Sequence, residues 1–331
     1  MNVVKSVLLI ISSTLTVYFA GCGPIGGSSE SSGETAPGVA AASEINARER
    51  GERRRERDAR IGETTPSTPS TPIATVKYPV VLLHGFMGGK RMGHFVGVTE
   101  HLKKQGVRAF EAEVAGIGSI AHRAGQLAPQ IDDVLAETRA DKVHLIAHSM
   151  GGLDARYLIS TMKYGDRVAS LTTLGTPHLG TPVADMALKT NNGQSSRLME
   201  MFASMMMRTA NGQPSGDLNE AIQNLSVEYV TGTFNPANPD DSRVVYRSLG
   251  GKTGERDRTK VMLSISSLIL RTQGAHDGVV PLASTKWGSN HTEVEADHLD
   301  LLGMSMLDGQ SPFKVIPFVD STLAELAAKG L

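Results

Sequence analysis

From Tyr78 onward, short wholly apolar runs alternate with stretches whose apolar residues recur every three or four positions. PVVLLHG (79–85) is an apolar run closed by glycine, the pattern of a strand buried on both faces. A helical stretch follows around Phe95–Gln105, then a short strand near Val107–Phe110. Ile120–Thr138 reads as an amphipathic helix, with Ile131, Val134 and Leu135 at helical spacing. Lys142–Ala147 is the next strand, Gly151–Met162 a helix, and Val168–Leu174 a further strand. Strands separated by helix-length segments imply a parallel sheet with right-handed crossovers. The expected fold is therefore a mostly parallel, doubly wound α/β domain over residues 76–331.

Ahead of Tyr78 the rhythm is absent. The first segment carries Lys5, then an uncharged stretch from Ser6 to Phe19, too short for a membrane span and suited to an export signal. Phe19-Ala20-Gly21-Cys22 resembles the bacterial lipobox, in which the cysteine is lipidated and the chain is cut just before it, although Phe is unusual in the first place. Residues 1–21 are thus expected to be a signal peptide of lipoprotein type, with a plain secretory signal or an uncleaved anchor as the alternatives. Gly23 is no inner-membrane retention signal, which points to the outer membrane in a Gram-negative cell. Residues 22–75 read as a disordered tether: GPIGGSSESSGETAPG is flexible, ARERGERRRERDARIGE mixes seven arginines with five acids, and TTPSTPSTP is a stiffer spacer.

Composition adds exclusions more than assignments. With 331 residues, 40 % hydrophobic and 20 % charged, the chain is of ordinary globular make-up, and a formal net charge of −1 gives no pull toward nucleic acid. Cys22 is the single cysteine, so no intrachain disulfide can form. A monomer is expected.

The chemistry starts at VHLIAHSMGG (143–152), a buried strand that stops at Ser149 and turns into a helix. A serine hydroxyl is a weak nucleophile that needs a base beside it and room for substrate above it. A sharp strand-to-helix turn exposes it and aims the helix N–H groups at developing negative charge. Such a turn needs small neighbours two residues away, and these are Ala147 and Gly151, where the usual G-x-S-x-G pattern has glycine at both. In LLHGFMGG (82–89), the loop after the first strand can donate a second oxyanion N–H, from Phe86, to pair with that of Met150. His84 reads as structural. The acid and base should follow in the order Asp, then His: Asp277 lies in GAHDGVVPLAS and His298 in EADHLDLLG. His276 is too near Asp277 in sequence to be its partner, while His291 stays open as a base but lacks the motif that follows His298.

VVLLHGFMG, AHSMGG, GTPHLGTP, HDGVVP and DHLD occur in an order that resembles the bacterial triacylglycerol lipases of the α/β-hydrolase superfamily, the Pseudomonas and Burkholderia type, over about residues 78–310 with a weak middle third. The resemblance implies an α/β-hydrolase fold, nucleophile Ser149, acid Asp277, base His298, and oxyanion donors Phe86 and Met150. It gives His178, within GTPHLGTP, no catalytic role. No cofactor is implied for catalysis. A structural Ca²⁺ is implied near the base, with Asp300 as one ligand, Asp257 or Glu255 as the second carboxylate, and carbonyls near Met304 and Asp308. A dedicated folding chaperone is a further implied partner. Between about 183 and 225 the αβ rhythm lapses, and Leu198, Met201, Phe202, Met205 and Met206 form an apolar stripe at helical spacing. Its place matches the family's lid; the other reading is a fixed cap helix. The implied activity is hydrolysis of acylglycerols or similar lipid esters by an exported protein, held at a membrane through lipidated Cys22 or secreted if the lipobox is not used. Carboxylesterase, phospholipase, acyltransferase and a non-catalytic lipid-binding lipoprotein are the alternatives.

Overall fold

The computed structural model describes residues 76–89, 95–189, 216–253, 264–304 and 312–331, all within one unit, Ser70–Leu331. The signal, the tether and Cys22 lie outside the described residues, as do Leu198, Met201, Phe202, Met205 and Met206 of the expected lid, and Glu255, Asp257 and Asp308.

Among the described residues six strands form one sheet in the order β2-β1-β3-β4-β5-β6, every neighbouring pair parallel. They are β1 (Val80–Leu83), β2 (Ala109–Ala112), β3 (Val143–His148), β4 (Val168–Leu174), β5 (Val245–Lys252) and β6 (Asn290–Glu295). The helices that carry the argument are α1 (Val98–Lys104), α2 (Ile120–Thr138), α3 (Met150–Ser160), α4 (Pro182–Lys189), α5 (Leu218–Asn224), α6 (Ser264–Leu270) and α7 (Val315–Ala328). The expected doubly wound sheet is present. The strand expected near Val107–Phe110 begins instead at Ala109, because Val107 donates its N–H to Leu102 and closes the end of α1. The apolar stretch 261–270 is helical in its described part, α6. β5 and β6 were not anticipated.

Strand residues alternate between two cores, as the period of two requires. Val80, Leu82, Ile146, Leu174 and Leu249 pack with Val98 and Leu102 of α1 and Val319 and Leu323 of α7. Val81, Leu83, Leu145, Ala147 and Leu171 face the other way, onto Leu127 and Ile131 of α2 and Leu158 and Ile159 of α3. A third cluster joins Met150 and Leu153 of α3 to Ala184 and Ala187 of α4, Ile222 of α5, and Val230 and Phe234 of the helical run that follows. These described parts of the 183–225 region therefore pack on the helix beginning at the expected nucleophile. Helix α2 starts where the Ser119 side chain accepts from His122 N–H, and ends at Arg139, held left-handed at φ 52°. Among the described residues no helix is long and apolar enough to cross a membrane.

Burial also places an acid-sensitive group at the far end of β3. His144 is fully buried, bonded through Nδ1 to Ser170 Oγ at 2.8 Å, and its Nε2 has no partner among the described residues. Burial lowers its pKa from 6.5 to about 4, so folding favours the neutral ring. That contribution is complete above pH 6.5 and is lost as pH falls from 6.5 toward about 4, since the unfolded chain then binds the extra proton. His144→Asn keeps a polar atom for Ser170 without the titration. It should flatten the fall in melting temperature over that interval, a share on the order of 3 kcal/mol. An unchanged slope in pH-resolved melting curves would refute it.

Candidate active site

Ser149 follows β3 and stands at the N-terminus of α3 with φ 53° and ψ −130°, a conformation that costs an L-residue roughly 1–3 kcal/mol and persists only where its surroundings enforce it. What enforces it is on both sides. The Ser149 N–H donates to Leu174 O at 2.9 Å, tying the turn to the end of β4, while its carbonyl accepts from Thr176 Oγ1 at 2.8 Å. Close packing explains the small neighbours. A methyl group at Gly151 would lie 2.6 Å from the His84 carbonyl oxygen, and one at Gly85 would lie 2.6 Å from Ser149 Cβ. Ala147 is fully buried and tolerated.

Asp277 and His298 meet. The buried carboxylate accepts from His298 Nδ1–H through Oδ2 at 2.7 Å, and its Oδ1 accepts from the N–H groups of Val279 and Val280 at 2.9 and 2.7 Å. His298 N–H also donates to Asp277 O at 2.8 Å. The pair lies against the end of β4: a methyl group at Gly175 would sit 3.1 Å from both Asp277 Oδ2 and His298 Nδ1. It also reaches β3, where the His148 ring packs 4.5 Å from that of His298. Ser149 and His298 keep slight exposure, 8 % and 6 %, whereas Asp277 has none. No hydrogen bond joins Ser149 Oγ to His298 among the described contacts.

The N–H groups of Phe86 and Met150 make no hydrogen bond among the described residues, and Met150 N lies 3.3 Å from where a Gly85 side chain would begin. Beside them, Met87 is fixed at φ 60° with its N–H on Gly116 O at 2.6 Å. The loop is anchored from beneath by Arg123, which donates to His84 O at 3.0 Å, to Ala115 O, and to Asp154 Oδ2 of α3 at 2.8 Å. Both charges are wholly buried, and burial raises the Asp154 pKa to about 6 against the pull of Arg123. His84 holds the loop too, accepting from Val114 N–H at Nε2 and donating from Nδ1 to Gly85 O, as its structural reading requires.

The remaining histidines stand elsewhere. His276 accepts from Gly278 N–H at 3.0 Å, and His291 bonds Ser248 Oγ at 2.8 Å, so neither reaches Asp277 as His298 does. His178 stacks on Trp287 at 5.1 Å and bonds Thr173 and Arg156, buried and held neutral. Asp300 turns its Oδ2 back to the Asp297 N–H at 3.1 Å, and Asp297 Oδ1 accepts from Leu299 and Asp300. Among the described residues no group of three or more His, Cys, Asp or Glu gathers here, and the other expected carboxylates, Asp257 and Glu255, lie outside them. Residues the local pattern did not mark are His148, Gly175, Arg123 and Asp154; only the glycine in GTPHLGTP carried a signal, as a position that tolerates no side chain.

A parallel sheet delivering a strained serine at a strand-to-helix turn, with an Asp–His pair from later loops beside it, defines an α/β-hydrolase. The palmitoyl protein thioesterase family model matches residues 79–317, and the chain belongs to that family. It is similar to a triacylglycerol lipase of Pseudarthrobacter phenanthrenivorans, 28 % identical over 306 residues that span 73 % of this chain and 95 % of the relative. A triacylglycerol lipase of Burkholderia plantarii is also 28 % identical, covering 73 % of this chain and 85 % of its own. The same fold occurs in a metagenomic carboxyl esterase, with TM-score 0.62 and 19 % identity over 81 % of each chain.

The packing at Gly151 is testable through stability. Gly151→Ala drives a methyl into the His84 and Leu83 carbonyls and should cost about 1–3 kcal/mol by overpacking. Gly125→Ala, with open space around it inside α2, should be neutral or stabilising by roughly 0.5–1 kcal/mol. Denaturant midpoints of the two variants, compared with the parent, decide whether the turn is as tight as the distances state.

Proposed function

We propose that this chain is a serine ester hydrolase that cleaves acylglycerols or related lipid esters through an acyl-enzyme on Ser149. The observation that carries the reading is the Asp277–His298 hydrogen bond of 2.7 Å beside a serine held at φ 53°. Asp277 fixes the tautomer with the proton on Nδ1, leaving Nε2 free to act as base. His298 takes the Ser149 proton as Oγ attacks the ester carbonyl carbon. The oxyanion forms against the N–H groups of Phe86 and Met150, which have no partner of their own among the described residues. The carbon–oxygen bond to the alcohol then breaks, and His298 returns the proton to the departing oxygen. Water, deprotonated by the same imidazole, releases the fatty acid and restores Ser149. The missing Ser149–His298 bond is compatible with this, because such contacts often tighten only when substrate binds.

The relatives named triacylglycerol lipase support a lipid ester as the substrate class. A second reading is thioester cleavage, favoured by the family match over 79–317. The same triad serves both, and a thiolate leaves with less need of a proton.

Ser149→Ala should lose at least about a thousandfold in turnover of p-nitrophenyl esters, and Asp277→Asn on the order of 10³–10⁴-fold. Emulsified triacylglycerol should be hydrolysed with higher kcat/KM than a palmitoyl thioester; the reverse order would make the second reading the right one. A fluorophosphonate that fails to label Ser149 would favour a binding module over an enzyme.

The same proposal includes export, with a lipid on Cys22 tethering the hydrolase to a membrane through residues 23–75. Cys22→Ser should shift ester hydrolysis from the membrane fraction to the soluble fraction of fractionated cells. Activity that stays with the membrane would remove the anchor from the proposal.

A further inference from the structure

His148, the last residue of β3, stands directly before Ser149 and has no part in the reaction just described. It is 4 % exposed. Burial first, and the neighbouring His298 second, hold its pKa well below the ordinary histidine value, so its ring is neutral and carries one N–H. That proton sits on Nε2, which donates to the main-chain carbonyl of His298 at 2.9 Å. The two rings lie 4.5 Å apart, tilted by 51°.

The bond matters because of where the others lead. His298 stands between β6 and the short turn Asp300–Leu302, on the edge-strand side of the sheet. Its side chain and its N–H both bond Asp277, itself on a loop, so those two contacts fix base to acid. The bond from His148 reaches β3, the strand that delivers the nucleophile.

We propose that His148 is a positioning residue that sets the distance between nucleophile and base by clamping the His298 carbonyl from the position next to Ser149. The inference rests on the reading of Ser149 and His298 as nucleophile and base. Proton transfer between them requires hydrogen-bond reach, and a misplacement of about 1 Å can cost on the order of 100-fold in rate. A clamp of this kind acts on the chemical step and leaves substrate affinity alone.

The test compares His148→Leu with His148→Gln in the full chain, because a glutamine amide can place an N–H near the Nε2 position. With a short p-nitrophenyl ester, the leucine variant should lose roughly 10- to 100-fold in kcat with KM within about twofold of the parent. Glutamine should recover most of that loss. Equal kcat in the two variants, whether both parental or both reduced, overturns the clamp. Should leucine prevent folding, ¹⁵N NMR of the unaltered protein decides the matter. The His148 ring should appear as the neutral tautomer protonated at Nε2 and should not titrate between about pH 5 and 8. Protonation at Nδ1 with a bare Nε2, or a titrating ring, overturns the proposal. Ser149→Ala in parallel separates the two ideas. Turnover surviving that change sinks the hydrolase reading, whereas the tautomer of His148 reports on the clamp alone.

Discussion

The backbone at Ser149 is the constraint on which the site depends. A left-handed φ at a residue with a side chain is unfavourable, and here it is enforced by hydrogen bonds to Leu174 and Thr176 and by close contact with Gly85 and Gly151. The sheet explains why this is affordable. β3 runs between β1 and β4 with all six residues buried, so its end is held by neighbours on both sides before the turn begins. The rigid centre of the sheet thus supports a locally unfavourable turn that exposes one hydroxyl.

Charge and polarity around the turn are arranged to hold main chain more than to meet solvent. Arg123 grips two carbonyls and Asp154, and His84 and His148 each spend their single N–H on a carbonyl. Buried ion pairs contribute little net stability against an apolar alternative, but losing one partner leaves an uncompensated charge at a cost of about 3–5 kcal/mol. Arg123–Asp154 therefore makes the link between α2, α3 and the Phe86 loop hard to alter one residue at a time.

Legibility in the sequence followed burial. VVLL, VHLIAH and VASLTTL are strands covered on both faces, so their apolar runs announce them, and Ser149, Asp277 and His298 fall in the order the chemistry needs. β5 was hidden because VYRSLGGK carries an arginine and two glycines. The glycines answer to the site: a methyl at Gly251 would lie 2.7 Å from Ala296 O and 3.1 Å from Asp277 Cβ. β6, NHTEVE, is a polar edge strand with no apolar alternation to read. Arg123 with Asp154, and His148 with His298, are pairs 31 and 150 residues apart that only the folded chain brings together.

That edge strand has a kinetic consequence. The serine rises from the best-protected strand, while the imidazole is reached through the least-covered one, whose outer hydrogen-bonding side has no neighbouring strand among the described residues. Free energies of local opening are lowest where backbone is exposed and few apolar contacts close over it. The rim is therefore the expected first site of local opening, ahead of the central strands.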